Sequence, residues 1–333
     1  MRVEPEHEDD PGRFVSTGAL PSPDDVRAVV DEAYERYRAE PAGERSSVYP
    51  ALARVDGGLF GICVAGTSGA VYGAGDDDVP FTLMSVAKPF VFALVCQALG
   101  PEEARLTLGV NATGLPFNSV VAVERSPDGR TNPMVNAGAI ATTSLIPGAG
   151  LEERWQRLRD GLSRFAGRPL ELDDEVYASA AATNDRNQGI ASVLSSLGRL
   201  ACDPAEATDV YTRQSCLAVT ARDLAVMGAT LAGGGVNPVT GERVVDAGVC
   251  RYVLAVMTTA GLYETSGDWL YEVGLPGKSG IGGGIVTVSP GKGGLGTFAP
   301  PLDEAGNSVK GQLVARYLAR RLGLDLFASE PAR

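Results

Sequence analysis

A serine and a lysine three residues apart, Ser85 and Lys88, carry the strongest chemical signal in this sequence. They lie where a polar opening runs into a long apolar stretch, which is typical of the start of a buried helix. Positions three apart share one face of a helix, so the hydroxyl and the amine should lie within hydrogen-bonding reach. A serine becomes a nucleophile when a neighbouring base takes its proton, and a desolvated lysine can be that base. The pair therefore predicts base-activated nucleophilic catalysis.

The same spacing also fits a helix N-cap serine followed by a lysine whose ammonium reaches solvent. Against that alternative, Lys88 is followed by Pro89 and an apolar run, where a charged group needs a partner or a function. The single histidine is His7, in an acidic N-terminal segment. Lysine must therefore be the base if catalysis occurs, which excludes Ser-His-Asp chemistry and most zinc hydrolase sites.

Composition and charge exclude several classes of function. The 333 residues are 44% hydrophobic and 21% charged, which is typical of a globular protein with a substantial core. The net charge of −12 and the lack of a basic patch argue against nucleic-acid binding. Five scattered cysteines lack metal-binding spacing and indicate buried apolar residues in a reducing compartment. No signal peptide or membrane-spanning run is found, so we expect a cytoplasmic protein without a metal ion or cofactor.

The order of the predicted elements indicates an α+β protein. Residues 1–22 are acidic and proline-rich, so we expect a loose tail before a single catalytic domain over about 23–330. An amphipathic helix follows the tail, and two alternating segments separated by Ser-Gly then predict a β-hairpin. Glycine-separated apolar runs late in the chain predict two or three antiparallel strands, followed by a last helix. The sheet part thus comprises about 23–90 and 235–330, and a helical part occupies about 90–235.

Three further segments are polar and constrained enough to contribute to a site. Asn132 and Asn136 bracket an apolar pair, and we interpret the first as a turn residue and the second as a ligand contact. The segment Thr183–Asn187 precedes a helix predicted to start near Gln188, so its polar residues could equally cap that helix. Lys278–Gly284 places a basic residue, a hydroxyl and glycine on a predicted edge strand, where a backbone N–H can line a reacting carbonyl. A glycine-rich hairpin turn would have the same composition.

Taken in order, these motifs resemble those of penicillin-recognising serine enzymes, with S-x-x-K, a downstream asparagine motif and K-[ST]-G on a late strand. The chain resembles more closely the serine-dependent glutaminases, which are amidohydrolases with a β-lactamase/DD-peptidase-like fold. That resemblance extends from about residue 25 to residue 325 and implies an antiparallel sheet flanked by helices plus a helical subdomain. It rests on the ordered strings VYPALA, MSVAKPF, NPMVNAGAI, TNDRN, MGATLAGGGVNPVTGERVV, GLPGKSGIGGGI and PPLDEAGNSVKG.

The resemblance implies a role for each catalytic position. Ser85 would attack the side-chain amide of L-glutamine with Lys88 as its base, and hydrolysis of the acyl-enzyme would give L-glutamate and ammonia. Tyr49 and Tyr263 match tyrosines that line the reacting centre, where a phenol can relay a proton to the leaving amine and activate water. The backbone N–H groups of Ser85 and Ile281 match the oxyanion hole.

The resemblance also implies substrate contacts and an assembly. Lys278 matches the K-[ST]-G lysine, whose charge is expected to lower the pKa of Lys88 and so favour its neutral, basic form. Family members are usually homodimers or homotetramers that act on a small molecule, and neither nucleic acid nor a membrane is expected as a partner. The implied substrate contacts are Ser85, Asn136, Asn187, Tyr211, Tyr263 and Ile281.

One position departs from the family pattern. A glutamate that binds the substrate's α-ammonium is expected shortly before the T-x-x-R-N string, but Ala180 occupies its place. Losing one partner of a buried ion pair costs about 3–5 kcal/mol, so binding of L-glutamine should be weakened strongly. Asp174, Glu175 or Asp185 could stand in for the glutamate. Otherwise the alternatives are the same acyl transfer on an amide without a free α-ammonium, or a catalytically weak paralogue that serves as a binding partner.

Overall fold

The computed structural model of this chain describes residues 18–328. Residues 1–17 and 329–333 lie outside the described ranges, and with them His7 and most of the predicted tail 1–22. The loose tail and the exclusion of histidine from the site therefore stay sequence-based predictions.

Two antiparallel sheets are formed by the strands of the described chain. The larger sheet has the strand order β2-β1-β7-β6-β5, and β3 pairs with β4 in the smaller one. The predicted hairpin is β1–β2 and the predicted late strands are β5, β6 and β7, so both predictions are confirmed. In chain order the strands are β1 (Gly61–Gly66), β2 (Val71–Gly75), β3 (Phe81–Thr82), β4 (Ala218–Val219), β5 (Gly277–Ser279), β6 (Gly284–Ser289) and β7 (Gly293–Phe298).

Helices make up most of the remaining described chain. In chain order they are α1 (Pro23–Tyr37), α2 (Ala87–Leu99), α3 (Pro101–Leu108), α4 (Val121–Arg125), α5 (Asn136–Ser144), α6 (Leu151–Ala166), α7 (Asp174–Ala181), α8 (Asp185–Ser196), α9 (Pro204–Ser215), α10 (Ala221–Ala232), α11 (Ala247–Ala260), α12 (Ser266–Val273) and α13 (Val309–Arg321). Short 3-10 turns lie at Leu52–Arg54, Met84–Val86 and Tyr263–Thr265. Among residues 18–328 no single helix is long and apolar enough to cross a bilayer, and the apolar pair Met84–Leu99 and Pro101–Leu108 is bent by 118°.

The alternation of side chains along the strands explains how helices cover both faces of the larger sheet. Along β1, Ile62 and Val64 belong to the apolar cluster that includes α1 and α13. The intervening Cys63 and Ala65 belong to the other cluster, which includes α10. The sheet is therefore the middle layer between the terminal helices on one side and α10 on the other.

Helix α10 packs directly on the backbone of β7, and glycine makes this possible. A Cβ atom added to Gly294 would lie 2.3 Å from the carbonyl oxygen of Ala225, and one added to Gly296 would lie 2.0 Å from that of Ala221. Any side chain at these positions would push the helix away from the sheet. The glycine-rich composition of this strand is thus a packing requirement.

Helix α2 is the centre of the helical part. Every residue from Ala87 to Ala93 is buried, and helices α3, α5, α6 and α11 pack around it. A helix that is apolar all round is stable only when it is surrounded in this way. Because α2 begins two residues after Ser85 and contains Lys88, this packing also fixes the position of the two residues that the sequence singled out.

Candidate active site

Ser85 lies in a strained turn immediately before the regular helix. It is the middle residue of the 3-10 turn Met84–Val86, which leads into α2. Met84 has φ 47° and Tyr263 has φ 57°, and between residues 18 and 328 these are the only non-glycine residues with positive φ. Such conformations cost about 1–3 kcal/mol each and persist where the surrounding structure imposes them. The strain is therefore concentrated at the predicted nucleophile and the predicted proton relay.

Lys88 is buried without an acidic partner in the described chain. Its Nζ donates to the carbonyl oxygen of Met134 at 3.2 Å and to Oδ1 of Asn136 at 2.8 Å. Burial lowers the pKa of Lys88 to about 7, because the charged form loses its hydration. Near neutral pH much of this lysine is therefore an uncharged amine, which is the form that can accept a proton.

Ser85 and Lys88 do not form the hydrogen bond that their spacing predicted. No bond joins Ser85 Oγ to Lys88 Nζ in the described chain, because the amine donates to acceptors from the segment Met134–Asn136. Burial raises the pKa of Tyr263 to about 12, and side-chain hydrogen bonds with Ser85 and Ser279 act in the opposite direction. The Tyr263 hydroxyl also donates to the carbonyl oxygen of Ser279 at 3.2 Å. The phenol of Tyr263 is therefore protonated near neutral pH.

Lys278 lies fully buried on β5, which is an edge strand as predicted. Its Nζ donates to the carbonyl oxygen of Ser279 at 2.7 Å and lies 4.3 Å from the ring centroid of Tyr263. Burial, followed by repulsion from Lys88, lowers the pKa of Lys278 well below its usual value. Burial is the cause that lowers the pKa of Lys88, and the repulsion between the two lysines lowers the pKa of Lys278. Burial therefore favours the neutral form of both amines.

Buried polar side chains connect Lys88 to helices α8 and α9. Oδ1 of Asn136, the first residue of α5, accepts from Lys88 Nζ and from the hydroxyl of Tyr211 at 3.1 Å. Nδ2 of Asn136 donates to Oδ1 of Asn187 at 3.0 Å. Burial raises the pKa of Tyr211 well above its usual value, so the phenol remains a donor. The structure therefore brings three predicted substrate contacts into one hydrogen-bonded group.

Two of the polar segments differ in detail from their predictions. Helix α8 begins at Asp185 and not near Gln188, so Asn187 lies inside its first turn. Asn132 is a turn residue as predicted, because its Oδ1 accepts from the backbone N–H of Met134 at 2.9 Å. The helix start matters for the site, since it fixes the direction of the Asn187 side chain.

A cavity of about 110 Å³ opens beside this group. Lys88, Lys278 and Tyr263 do not line it, although the ring of Tyr263 lies 4.5 Å from that of the lining residue Phe117. Burial raises the pKa of the lining residue Tyr49. The predicted site residues that line the cavity are Tyr49, Ser85, Asn136, Asn187, Tyr211 and Ile281.

Ser85 and Ile281, the predicted backbone donors, both line the cavity. The N–H groups of Ser85 and Ile281 have no backbone acceptor among residues 18–328. Gly280 lets the strand approach the turn, since a Cβ atom there would lie 3.2 Å from the carbonyl oxygen of Leu83. This pair of unpaired amides has the chemistry of an oxyanion hole.

Sequence reasoning missed the loop that forms one wall of the cavity. Phe117 and Asn118 line it, and Nε of Arg186 donates to the carbonyl oxygen of Asn118 at 2.8 Å, which ties the loop to α8. The run Gly-Leu-Pro-Phe-Asn at 114–118 was the available signal, because it combines turn residues with an aromatic side chain.

A larger cavity of about 590 Å³ contains none of the predicted site residues. Its lining includes Arg105, Arg125 and Arg130, from α3 and the region around α4. Among residues 18–328 no group of three or more His, Cys, Asp or Glu side chains could hold a metal ion. The predicted site residues that line a cavity therefore all line the smaller one.

The five cysteines are free thiols. The predicted burial is wrong for Cys202, which is partly exposed. Burial raises the pKa of Cys216, a neighbour of Tyr49, to about 12, so its thiol is not a competing nucleophile. The four buried cysteines are Cys63, Cys96, Cys216 and Cys250.

The cavity lining contains one charged side chain, Arg186, and no carboxylate. Ala180, which is 1% exposed, is part of this lining at the position where the resemblance expects a glutamate. None of the possible substitutes Asp174, Glu175 and Asp185 lines the cavity. The described site therefore offers an amide substrate several hydrogen-bond donors and a guanidinium, and no acidic partner for an ammonium group.

Comparisons with known proteins agree on one family. Residues 43–327 match the family model described as Glutaminase. Glutaminase 2 of Yersinia pestis is 68% identical over 318 residues, which are 96% of this chain and 94% of that protein. A glutaminase of Mycobacterium ulcerans is 48% identical over 301 residues, which are 90% and 94% of the two chains.

Solved structures give the same result for the fold. The probable glutaminase ybaS superimposes with a TM-score of 0.91 at 46% identity, over 93% of this chain and 100% of that one. A Bacillus glutaminase has a TM-score of 0.81 at 31% identity, over 90% and 99% of the two chains. The predicted α+β, β-lactamase-like fold is confirmed. The chain therefore belongs to the glutaminase family, whose members are hydrolases of amide C–N bonds.

Proposed function

We propose that this protein hydrolyses L-glutamine to L-glutamate and ammonia through an acyl-enzyme on Ser85. The observation that carries the proposal is the buried amine of Lys88, one helical turn after the serine, with a pKa of about 7 and no acidic partner in the described chain. A lysine in this state is a general base matched to neutral pH. The family relationship supports the choice of a carboxamide as substrate.

Acylation then proceeds with these groups in defined roles. Ser85 Oγ forms a bond to the carboxamide carbon, and its proton passes to the amine of Lys88. The backbone N–H groups of Ser85 and Ile281 bind the oxyanion of the tetrahedral intermediate. The C–N bond breaks as the leaving nitrogen takes a proton from the Tyr263 hydroxyl, and Lys88 returns a proton to that phenolate. Ammonia departs and the acyl-enzyme remains.

Deacylation reverses these proton movements with water in place of ammonia. A water molecule attacks the ester carbon while Lys88 takes one of its protons. The C–O bond to Ser85 breaks, the serine regains its proton from Lys88, and L-glutamate leaves. In this scheme Asn136, Asn187 and Tyr211 bind the polar groups of the substrate distant from the amide. We also propose that the protein is a homodimer or homotetramer and acts in the cytoplasm.

Covalent labelling tests the nucleophile directly. A diazo-ketone analogue of glutamine should add one reagent per chain to the wild type, measured by intact mass, because it alkylates an activated nucleophile. The matched control is Ser215→Ala, since Ser215 lines the same cavity but its hydroxyl donates to the carbonyl oxygen of Tyr211. Ser215→Ala should still be labelled and Ser85→Ala should not. A wild type that resists the reagent would instead support a non-catalytic binding partner.

A second candidate is the same reaction on an amide without a free α-ammonium. It is favoured by the lining, in which Ala180 is apolar and Arg186 would repel an ammonium group. A monoamide such as glutaramate has the carboxamide and the carboxylate of glutamine but no ammonium. The experiment that separates the two candidates is a comparison of kcat/KM for L-glutamine and glutaramate.

Ala180→Glu is expected to raise kcat/KM for L-glutamine by about 10- to 100-fold, because it supplies a carboxylate for the α-ammonium. The same change should not improve glutaramate. Ala181→Glu is the matched control, since Ala181 is exposed on the same helix and does not line the cavity. Equal kcat/KM for L-glutamine in wild type and Ala180→Glu, with unchanged thermal stability, would contradict the idea of a missing ammonium partner.

A further inference from the structure

The hydrogen bonds that begin at Lys88 continue beyond the predicted site residues. Lys88 Nζ donates to Oδ1 of Asn136 at 2.8 Å, and Nδ2 of Asn136 donates to Oδ1 of Asn187 at 3.0 Å. Nδ2 of Asn187 then donates to Oδ1 of Asn184 at 2.8 Å. Every donor in this series points away from the lysine. Three amides therefore have one common direction.

The series ends on helix α9. Nδ2 of Asn184 donates to Oγ1 of Thr212 at 2.7 Å, and the Thr212 hydroxyl donates to the carbonyl oxygen of Thr208 at 2.7 Å. A backbone carbonyl only accepts, and a hydroxyl has a single proton. Thr212 must therefore accept from Asn184, which fixes the direction of each amide back to Asn136. Asn184 and Thr212 border the cavity but are only 5% and 4% exposed, so most of each side chain is shielded from water.

The direction of the Asn136 amide decides whether Lys88 can act as a base. A neutral amine has two hydrogens and one lone pair. Met134 O and Asn136 Oδ1 accept the two hydrogens, which leaves the lone pair without a donor in the described chain. If the Asn136 amide were rotated by half a turn, its Nδ2 would donate to the lone pair. The amine could then no longer take the proton of Ser85.

We infer that Asn184 and Thr212 are positioning residues, which hold Asn136 with its oxygen towards Lys88 and so keep the lone pair of the base available. This inference rests on the proposed function, because it concerns the base of that reaction. Asn184 and Thr212 act through Asn187, not through a contact with the lysine. The Tyr211 hydroxyl, also on α9, donates to Asn136 Oδ1, but a phenol can accept as well as donate, so Thr212 is the group that fixes the direction of the series.

The test uses the pH profile of activity, to which the ionisable neighbours of Lys88 can contribute. They are Lys278 on β5, Tyr211 on α9, whose ring centroid lies 5.9 Å from Lys88 Nζ, and Tyr263 next to Lys278. None of them is acidic, and both phenols are protonated near neutral pH. A change in the pH profile between pH 6 and 8 therefore reports on the two buried lysines, of which Lys88 is the one bonded to Asn136.

Thr212→Val keeps the shape of the side chain and removes its hydroxyl. We expect kcat for the amide substrate to fall about tenfold or more, and the pH midpoint of activity to fall, because a rotated Asn136 stabilises the neutral amine. Thr212→Ser restores the hydroxyl and should stay within about threefold of the wild type. The matched control is Thr208→Val, one turn earlier on α9, because the Thr208 hydroxyl donates to Pro204 O outside the series.

Equal losses of kcat in Thr212→Val and Thr208→Val, or an unchanged pH midpoint in Thr212→Val, overturn the inference. Asn184→Leu gives an independent measurement if Thr212→Val does not fold. It removes the oxygen that accepts from Asn187 Nδ2, so kcat and the pH midpoint should both fall as in Thr212→Val, and an unchanged pH midpoint overturns the inference. A wild type that releases no more ammonia than Ser85→Ala refutes the proposed function instead.

Discussion

Replacing Ser85 with alanine is expected to lower kcat/KM for L-glutamine by about 10⁴-fold or more, because the reaction loses its covalent intermediate. Lys88 and the backbone N–H of Ile281 remain, but water would have to attack the amide directly. The measurement is ammonia release followed continuously, with enzyme concentrations high enough to detect the residual rate. Thermal unfolding of the variant should match that of the wild type, since the change removes one small hydroxyl at the cavity wall.

The other serine of the cavity provides the comparison for this prediction. Ser215 is a partly buried residue at the end of α9 whose hydroxyl donates to its own helix backbone, so Ser215→Ala should retain activity within about threefold of wild type. A loss of less than about 100-fold in Ser85→Ala would contradict a serine nucleophile. Comparable losses in both variants would show that the cavity depends on its hydroxyls for binding instead of covalent chemistry.

Local sequence rules predicted the elements near Ser85 and Lys88 but not the bond between them. The apolar run after Lys88 correctly indicated a buried helix, because burial of a whole helix is visible in its composition. The hydrogen bond was wrong because the acceptors of Lys88, Met134 and Asn136, lie 46 and 48 residues away in sequence. Spacing describes neighbours on one helix, whereas a buried amine binds whichever acceptors the tertiary packing supplies.

The same distinction applies to the rest of the site. The family strings identified Asn136, Asn187 and Tyr211, and the structure brings them into one group although three different helices carry them. Thr212 has no motif of its own, and its role depends on the direction of a hydrogen-bond series that no periodicity encodes. Residues that contact a ligand leave a signature in a motif, whereas residues that orient those contacts appear only in the folded geometry.

Lys88→Met is expected to lower kcat for L-glutamine by about 10³-fold, because it removes the general base while preserving the length and packing of the side chain. The wild type supplies the pH dependence that identifies this base. Since burial lowers the pKa of Lys88 to about 7, kcat/KM should rise with pH through about 7 and then level off. The residual activity of the methionine variant should lack this rise. A wild-type profile that falls between pH 6 and 8 would contradict a lysine base.

Lys88→Met should be more stable than the wild type although it is less active. In the unfolded chain Lys88 has its usual pKa of 10.5, and in the folded chain about 7, so between these values the unfolded state binds the extra proton. Stability of the wild type therefore rises with pH across this window, and the penalty for the buried lysine is largest at and below pH 7. Lys88→Met removes that penalty, so it should unfold at a higher temperature than the wild type near pH 7, and the difference should shrink towards pH 10. Lys278 is present in both proteins, and Lys88→Met also removes the repulsion that Lys88 exerts on it, which adds to the stabilisation of the variant. The difference in unfolding temperature between the two proteins can be measured at pH 7, 8.5 and 10. A difference that widened with pH would mean that the amine of Lys88 is charged in the folded protein.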